Sequence, residues 1–312
     1  AYFAQAGRKQ GTTNGEEVIF DTRGRGEVTH ERTGNVVEPH FPYEHGDMPP
    51  EDTSRRTQFA HWATSAENAY FAKSFVNRMW AYLLGVGLID PIDDIRAGNP
   101  PSNPELLTRL TDEFIESGFD VQALVRRICT SRTYKHTGAT TEWNEDDTTN
   151  YSQAIERRMK AEVLYDTIHQ VTGADPKLPG LPSGSRAVEL LDSNQELPGG
   201  FLGLFGKPPR ESSCECERTG GVMLSQALNM VNGPTISDAI AAEGNAIERI
   251  VNTTPENTRV VEELFLAILC RPPTEAEVAT GTEAIQAADS RLLGAQDLAW
   301  ALMNSPAFLF NH

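Results

Sequence analysis

No apolar run in this 312-residue chain approaches the roughly 20 residues a helix needs to cross a bilayer, so no membrane span is expected. Basic charge is scarce: 27 lysines and arginines face 44 aspartates and glutamates, a formal charge of −17. Phosphate backbones repel such a surface, which argues against nucleic acid and anionic membrane as partners. The densest basic clusters, Arg55-Arg56, Arg126-Arg127 and Arg157-Arg158-Met159-Lys160, fall on expected helices with acids nearby and read as solvated faces or ion pairs. Four cysteines are too few for a disulfide scaffold. Cys129 and Cys270 end apolar helical runs, the usual setting of inert core cysteines. The chain opens on Ala1 with no initiator Met, basic n-region or apolar h-region, and is expected to be processed or part of something longer.

Catalytic signatures are missing as well. There is no His-Glu-x-x-His pair, no Gly-x-Ser-x-Gly, no Walker loop and no dinucleotide fingerprint. Without a Cys-x-x-Cys-His the chain carries no c-type haem of its own. A Ser–His–Asp set or a two-carboxylate glycosidase pair assembles only in space, and nothing in the sequence singles one out.

What is present is mostly helical periodicity. Residues 1–15 are polar and Gly-rich and read as a mobile lead-in. Glu17–Asp21 and Glu27–Glu31 alternate around a Gly-containing connection, the pattern of a β-hairpin. A Pro-rich connection follows to residue 52. The stretch from Thr53 to Trp62 then reads as helix, and Thr64-Ser65-Ala66-Glu67 has capping-box spacing ahead of an amphipathic run from Tyr70 to Leu84. A second box, Ser102-Asn103-Pro104-Glu105, opens a helix with Leu107, Leu110 and Phe114 inward, and Asp120 caps the next. Ser152 to Val171 reads as one long helix. Residues 173–221 are rich in Gly, Pro and Ser with no helical period. A structureless connection of that length is improbable inside a compact domain, so the stretch is a functional excursion or a seam. Helices resume at Val222–Val231, Pro234–Val251, Thr258–Leu269, Thr274–Asp289 and Gly294–Met303. One internal echo stands out: Leu124, Ile128, Ser131 and Tyr134 match Leu298, Leu302, Ser305 and Phe308 in step.

The expected architecture is mostly α: a single helical body with a small N-terminal β-hairpin and a long irregular Gly/Pro-rich excursion. Residues 1–52 form the lead-in, hairpin and Pro-rich connection. Residues 53–312 form the helical domain, with halves 53–172 and 222–312 joined by the excursion 173–221.

Two places concentrate chemistry. The loop Asp90–Ser102 offers the carboxylates of Asp90, Asp93 and Asp94, the amide of Asn99 and the guanidinium of Arg96. Oxygen-rich loops of this kind hold hard cations, although the spacing is not that of an EF-hand. The alternatives are loop scaffolding, with carboxylates accepting loop N–H groups or pairing with Arg96, and catalysis. The second place is Arg210-Glu211-Ser212-Ser213-Cys214-Glu215-Cys216-Glu217-Arg218. One residue between two thiols is too few for a standard structural zinc knuckle. In an extended segment Cys214 and Cys216 point the same way, toward a core pocket, a redox partner or a soft metal. Arg210 or Arg218, if close, would lower a thiol pKa. No cofactor is expected in this chain, with a bound cation at Asp90, Asp93 and Asp94 as the open case.

The runs Asn77–Ala81, Gly85–Leu88, Asp93–Arg96, Asn99–Leu107, Phe205–Arg210, Cys214–Arg218, Leu228–Pro234 and Phe308–His312 together resemble one family closely. It is the planctomycete C-terminal domain of unknown function found in large secreted, cytochrome c-associated proteins (PSD-one type), and the likeness spans about Gly15 to His312. The resemblance implies export to the periplasm or cell surface, an oxidising setting for Cys214 and Cys216, and other domains of a parent protein as partners. No catalytic residues are established for that family, so none carries over. Two function classes follow. One is a non-catalytic helical module that docks neighbouring domains or binds a cell-surface glycan. The other is an enzyme or redox partner in envelope polysaccharide breakdown or electron transfer. Its site would join the Asp93/Arg96 loop to the Cys214/Cys216 run in one shared pocket.

Overall fold

The computed structural model describes all residues except 13–16, 23, 51, 191–196, 208–223 and 312. The protein is mostly helical with a small N-terminal sheet, and divides into two compact units, Ala1–Glu156 and Arg157–Asn311.

In the first unit, strands β1 (Ala6–Gln10) and β2 (Glu17–Asp21) pair antiparallel, Ala6 opposite Asp21 and Gln10 opposite Glu17. The hairpin is therefore present, but with a different partner strand from the one the sequence suggests. Residues 27–31 make only a single bridge, Thr29 to Val36. The β1 sequence, Ala-Gly-Arg-Lys-Gln, has no β-branched or aromatic residue to mark it as a strand. The lead-in is also anchored. Tyr2 stacks on Phe41 at 4.7 Å, and Phe41 stacks on the buried Trp62 at 5.1 Å. The Trp62 indole donates to the Tyr43 carbonyl at 2.9 Å, so aromatic contacts pin the Pro-rich connection to helix α1 (Arg55–Thr64).

Helix α2 (Phe71–Leu84) begins later than the capping-box spacing implies. Ser65 instead follows the last turn of α1, and its hydroxyl accepts from Glu67 N–H and donates to Asp47. The Asn68 side chain accepts the N–H groups of Tyr70 and Phe71. Helix α3 (Pro104–Glu116) is capped by Asn103, one residue after the expected Ser102, and α4 (Val121–Cys129) is capped by Asp120 as expected. Their stripes close one core: Val76 and Trp80 of α2 meet Leu107, Leu110 and Phe114 of α3 and Leu124 and Ile128 of α4.

The second unit starts at strand β3 (Arg157–Arg158), which pairs antiparallel with β4 (Phe310–Asn311). Nearly half of the expected Ser152–Val171 helix, residues 152–160, is therefore not helical. Asp147 holds the backbone N–H of Ser152, Met159 N–H reaches the Leu309 carbonyl at 3.1 Å, and α5 forms only over Ala161–Thr172. The described parts of the excursion are built into this unit's core. Leu178, Ala187, Leu197 and Phe205, with Phe201 and Leu202 of α6 (Phe201–Leu204), lie in one buried cluster with Leu164, Ile236, Leu264 and Met303. Helix α7 (Leu224–Asn232) follows. The single expected helix Pro234–Val251 is two helices, α8 (Pro234–Ala241) and α9 (Ala246–Thr253). The break begins at Ala242, which is extended at ψ 131°; Gly244 turns the chain at φ +69°, and Asn245 caps α9 by accepting Glu248 N–H at 2.9 Å. Helices α10 (Asn257–Leu269), α11 (Glu275–Ala287), α12 (Arg291–Met303) and α13 (Pro306–Leu309) complete the unit.

The sequence echo has a structural counterpart. Helices α4 and α12 end alike, on Thr130 at φ −88°, ψ −4° and Asn304 at φ −88°, ψ −1°. Ser131 N–H then bonds the Ile128 carbonyl at 3.0 Å, and Ser305 N–H the Leu302 carbonyl at 3.1 Å. Helices α2 and α10 also end alike, each on a left-handed residue directly after a leucine: Gly85 at φ +95° and Cys270 at φ +54°. Cys270 is exposed and Cys129 only half-buried, so neither is the core cysteine the sequence suggests. Cys270 is the residue after the last turn of α10, and its chain has already left the helical path.

Candidate functional site

The Asp90–Ser102 loop is organised from below by Asn77, which is 0% exposed on α2. Its side-chain oxygen accepts Ile89 N–H at 2.8 Å, and its amide donates to the carbonyls of Ile89 at 2.8 Å and Ile92 at 3.2 Å. Above it, Arg78 pairs with Asp93, and Arg96 Nε lies 2.9 Å from Asp94 Oδ1. Asn99 donates to the carbonyls of Asp90 at 3.2 Å and Asp94 at 3.1 Å. Asp93 and Asp94 thus each face a guanidinium, and Asn99 braces backbone. That is how a hydrogen-bonded loop scaffold is made. Among the described residues no three His, Cys, Asp or Glu side chains are grouped to hold a metal ion.

The other expected site residues, Arg210, Cys214, Cys216 and Arg218, lie outside the described residues. The chain flanking them is described, and there a residue first read as a solvated cation is structural. Arg158 donates to the Phe205 carbonyl at 3.1 Å and to the Gln226 side-chain oxygen, with its guanidinium 5.9 Å from the Phe205 ring centre. Gln226 in turn donates to the Leu204 carbonyl at 2.9 Å. Burial lowers the Arg158 pKa, yet an arginine stays charged. The pair therefore joins α6 to α7, the helices on either side of the cysteine run. Only a glutamine inside a helix without charged residues hinted at this in the sequence.

Two exposed apolar features stand apart from these scaffolds. Helix α7, Leu-Ser-Gln-Ala-Leu-Asn-Met-Val-Asn, has no charged residue. Gln226 and Met230 face inward, while Leu224, Leu228 and Val231 are 77%, 53% and 45% exposed at steps of four and three. These steps put all three on one helix face. In the first unit Trp143 is 86% exposed, on the loop that follows α4. Asp147 braces that loop by accepting the N–H groups of Thr149 at 3.1 Å, Asn150 at 2.8 Å and Ser152 at 3.1 Å, together with the Ser152 hydroxyl. The Ser152 hydroxyl, then those N–H groups, hold the Asp147 carboxyl far below the usual carboxylate range. Tyr151 closes the loop onto the core, edge-on to Trp80 at 5.4 Å.

With this geometry in place, comparison adds one positive match. The family model PSD1, described as a protein of unknown function (DUF1553), matches residues 55–285. No curated protein and no solved structure matches the chain.

Proposed function

The chain belongs to the PSD1 family of proteins of unknown function, and from that footing we propose that it is a binding module without a reaction of its own, docking other domains of a larger exported protein in the periplasm or at the cell surface. The observation that carries this reading is the apolar face of α7. An uncharged helix with two leucines and a valine turned outward, on a chain of net charge −17, is what a protein interface buries. Burying a fully exposed Leu or Val is worth about 1.5–3 kcal/mol, and about half or more of that is still to be gained at each of these three positions. A polyhydroxyl glycan would leave its own hydroxyls unpaired against that face, which favours a protein over a glycan there. Trp143 is a second anchor of the same kind, since tryptophan is enriched at interface hot spots.

The test is co-elution of this chain with the separately produced remaining domains of its parent protein, for the wild type and for Leu228→Glu. Binding that Leu228→Glu abolishes supports docking. Binding to isolated cell-wall glycan that the variant leaves intact would replace this reading with the glycan one. A redox role for Cys214 and Cys216 is a separate proposal. Native thiol titration of the wild type against Cys214→Ser with Cys216→Ser, together with elemental analysis, decides it: two reactive thiols lost in the variant or one bound metal per chain support it, and the absence of both removes it.

A further inference from the structure

The two units share more than the way their helices end. Helices α2, α3 and α4 pack pairwise on one another, and so do α10, α11 and α12. Helices α3 and α11 are both 13 residues long, and each opens on a side-chain cap, Asn103 and Thr274. The register that sets Leu124 on Leu298 also sets Gln122 on Gln296. What differs is the cover. In the second unit α8 and α9 lie on α12, and Gln296 donates to the Ile240 carbonyl of α8 at 3.1 Å. Ala295, Ala299 and Met303 are fully buried there, in one cluster with Ile236 and Ile240 of α8 and Ile247 of α9. In the first unit α4 packs on α2, α3 and the turn Thr133–Lys135, and no described helix of that unit lies on it as α8 and α9 lie on α12. Val121 is 42% exposed where its counterpart Ala295 is 0%, and Tyr134 is 36% exposed where Phe308 is 4%. Val125 and Cys129 are half-buried. Gln122 is exposed, with no side-chain hydrogen bond among the described residues. Val121, Val125 and Cys129 stand four apart and share one helix face.

Charge narrows what fits. Residues 121–136 hold Arg126, Arg127, Arg132 and Lys135 and no aspartate or glutamate, on a chain of net charge −17. Arg127 is committed to Glu113, whereas Arg126, Arg132 and Lys135 have no ion pair among the described residues. Arg126 stands one turn before Cys129, and Arg132 and Lys135 flank Tyr134 along the chain. The cover in the second unit has the opposite sign: α8, α9 and their junction carry Asp238, Glu243 and Glu248 against Arg249. We propose that the α4 face of the first unit docks an acidic amphipathic helix of a partner protein. The apolar stripe of that helix covers Val121, Val125 and Tyr134, and its carboxylates meet Arg126 and Arg132. Gln122 then donates to a backbone carbonyl of the docked helix, as Gln296 does to Ile240. This surface lies apart from the docking face on α7 and does not depend on it.

Fluorescence anisotropy tests it with the full chain and two labelled helical peptides of about 20 residues. One carries a leucine stripe flanked by glutamates, and its twin has every glutamate replaced by lysine. The acidic peptide is expected to bind saturably at one per chain, about tenfold or more tighter than the lysine twin, although the chain as a whole is acidic. The Val121 methyl and Tyr134 ring resonances should shift on binding. Arg126→Glu with Arg132→Glu breaks no ion pair among the described residues and should weaken binding by about tenfold or more. Val121→Glu should do the same and still fold, because a glutamate suits the first turn of a helix. Leu228→Glu on α7 should change nothing. Several results would each overturn the proposal. They are no saturable binding of the acidic peptide, equal or tighter binding of the lysine twin, and affinity that survives either set of changes on α4. Loss of binding with Leu228→Glu would place the peptide on α7 instead. Self-association of the free chain that Val121→Glu removes, read by sedimentation, would make the occupant a second copy.

Discussion

Trp300 donates its indole N–H to the Val231 carbonyl, 3.3 Å away. The bond ties the last turn of α7 to α12, so the helix that carries the exposed stripe is held at its C-terminal end as well as by Gln226 and Met230 beneath it. The stripe is therefore a feature of a fixed helix, and its exposure is not a consequence of fraying.

Replacing Leu228 by Glu should leave stability within about 0.5 kcal/mol of the wild type, because the side chain is already half in water. Met230→Ala, on the buried face of the same helix, should cost about 2–5 kcal/mol. Urea unfolding of the two variants checks the contrast. Equal losses would mean that α7 is covered on both faces.

Cys270 occupies the left-handed cap that Gly85 fills at the end of α2. A side chain in that conformation carries strain of about 1 kcal/mol or more. Cys270→Gly should raise stability by about 0.5–1 kcal/mol, and Gly85→Ala should lower it by a similar amount. The shift in denaturation midpoint reads both.

Asn77→Ala should cost about 2–3 kcal/mol, since the buried N–H of Ile89 loses its partner and two carbonyls lose a donor. Amide exchange of Ile89 should accelerate in the variant while that of α4 stays slow at its centre. Unchanged exchange at Ile89 would mean that the loop does not depend on Asn77.

Glu277 forms a two-pronged pair with Arg271 and also closes the capping box of α11 with Thr274. The Arg271 guanidinium first, then Thr274 N–H, pull its carboxyl down to about 2 from 4.5. A depressed acid contributes stability that is present above the unfolded value and disappears as pH falls through the folded one. The stability difference between wild type and Glu277→Gln should therefore be constant above pH 5 and shrink between 4.5 and about 2. A difference that persists at pH 2 would place the contribution outside this carboxylate.

Much of the helical framework was legible in the sequence because its signals are local. The stripe of Leu107, Leu110 and Phe114 and the cap at Asp120 appear where periodicity and side-chain chemistry place them. The misreadings arose where a distant partner overrode a local pattern. Ile155 and Met159 continue the period of α5 backward, yet Asp147 and the β4 strand take that backbone. β1 has no strand composition and forms because β2 is beside it. Leu197, Phe201 and Phe205 stand four residues apart, but Pro198, Gly199 and Gly200 interrupt the run and hide it as a helical stripe. The candidate sites divide the same way. The Asp90–Ser102 loop was visible as chemistry, but its pairing with Arg78 was not.

Hydrogen exchange of the α7 backbone, compared between this chain alone and the intact parent protein, tests the docking proposal most directly. If α7 is a docking face, amides from Leu228 to Asn232 should exchange markedly more slowly in the intact protein, and Leu228→Glu should abolish the difference. Identical exchange in both settings, with Leu228 still reached by solvent, would contradict it.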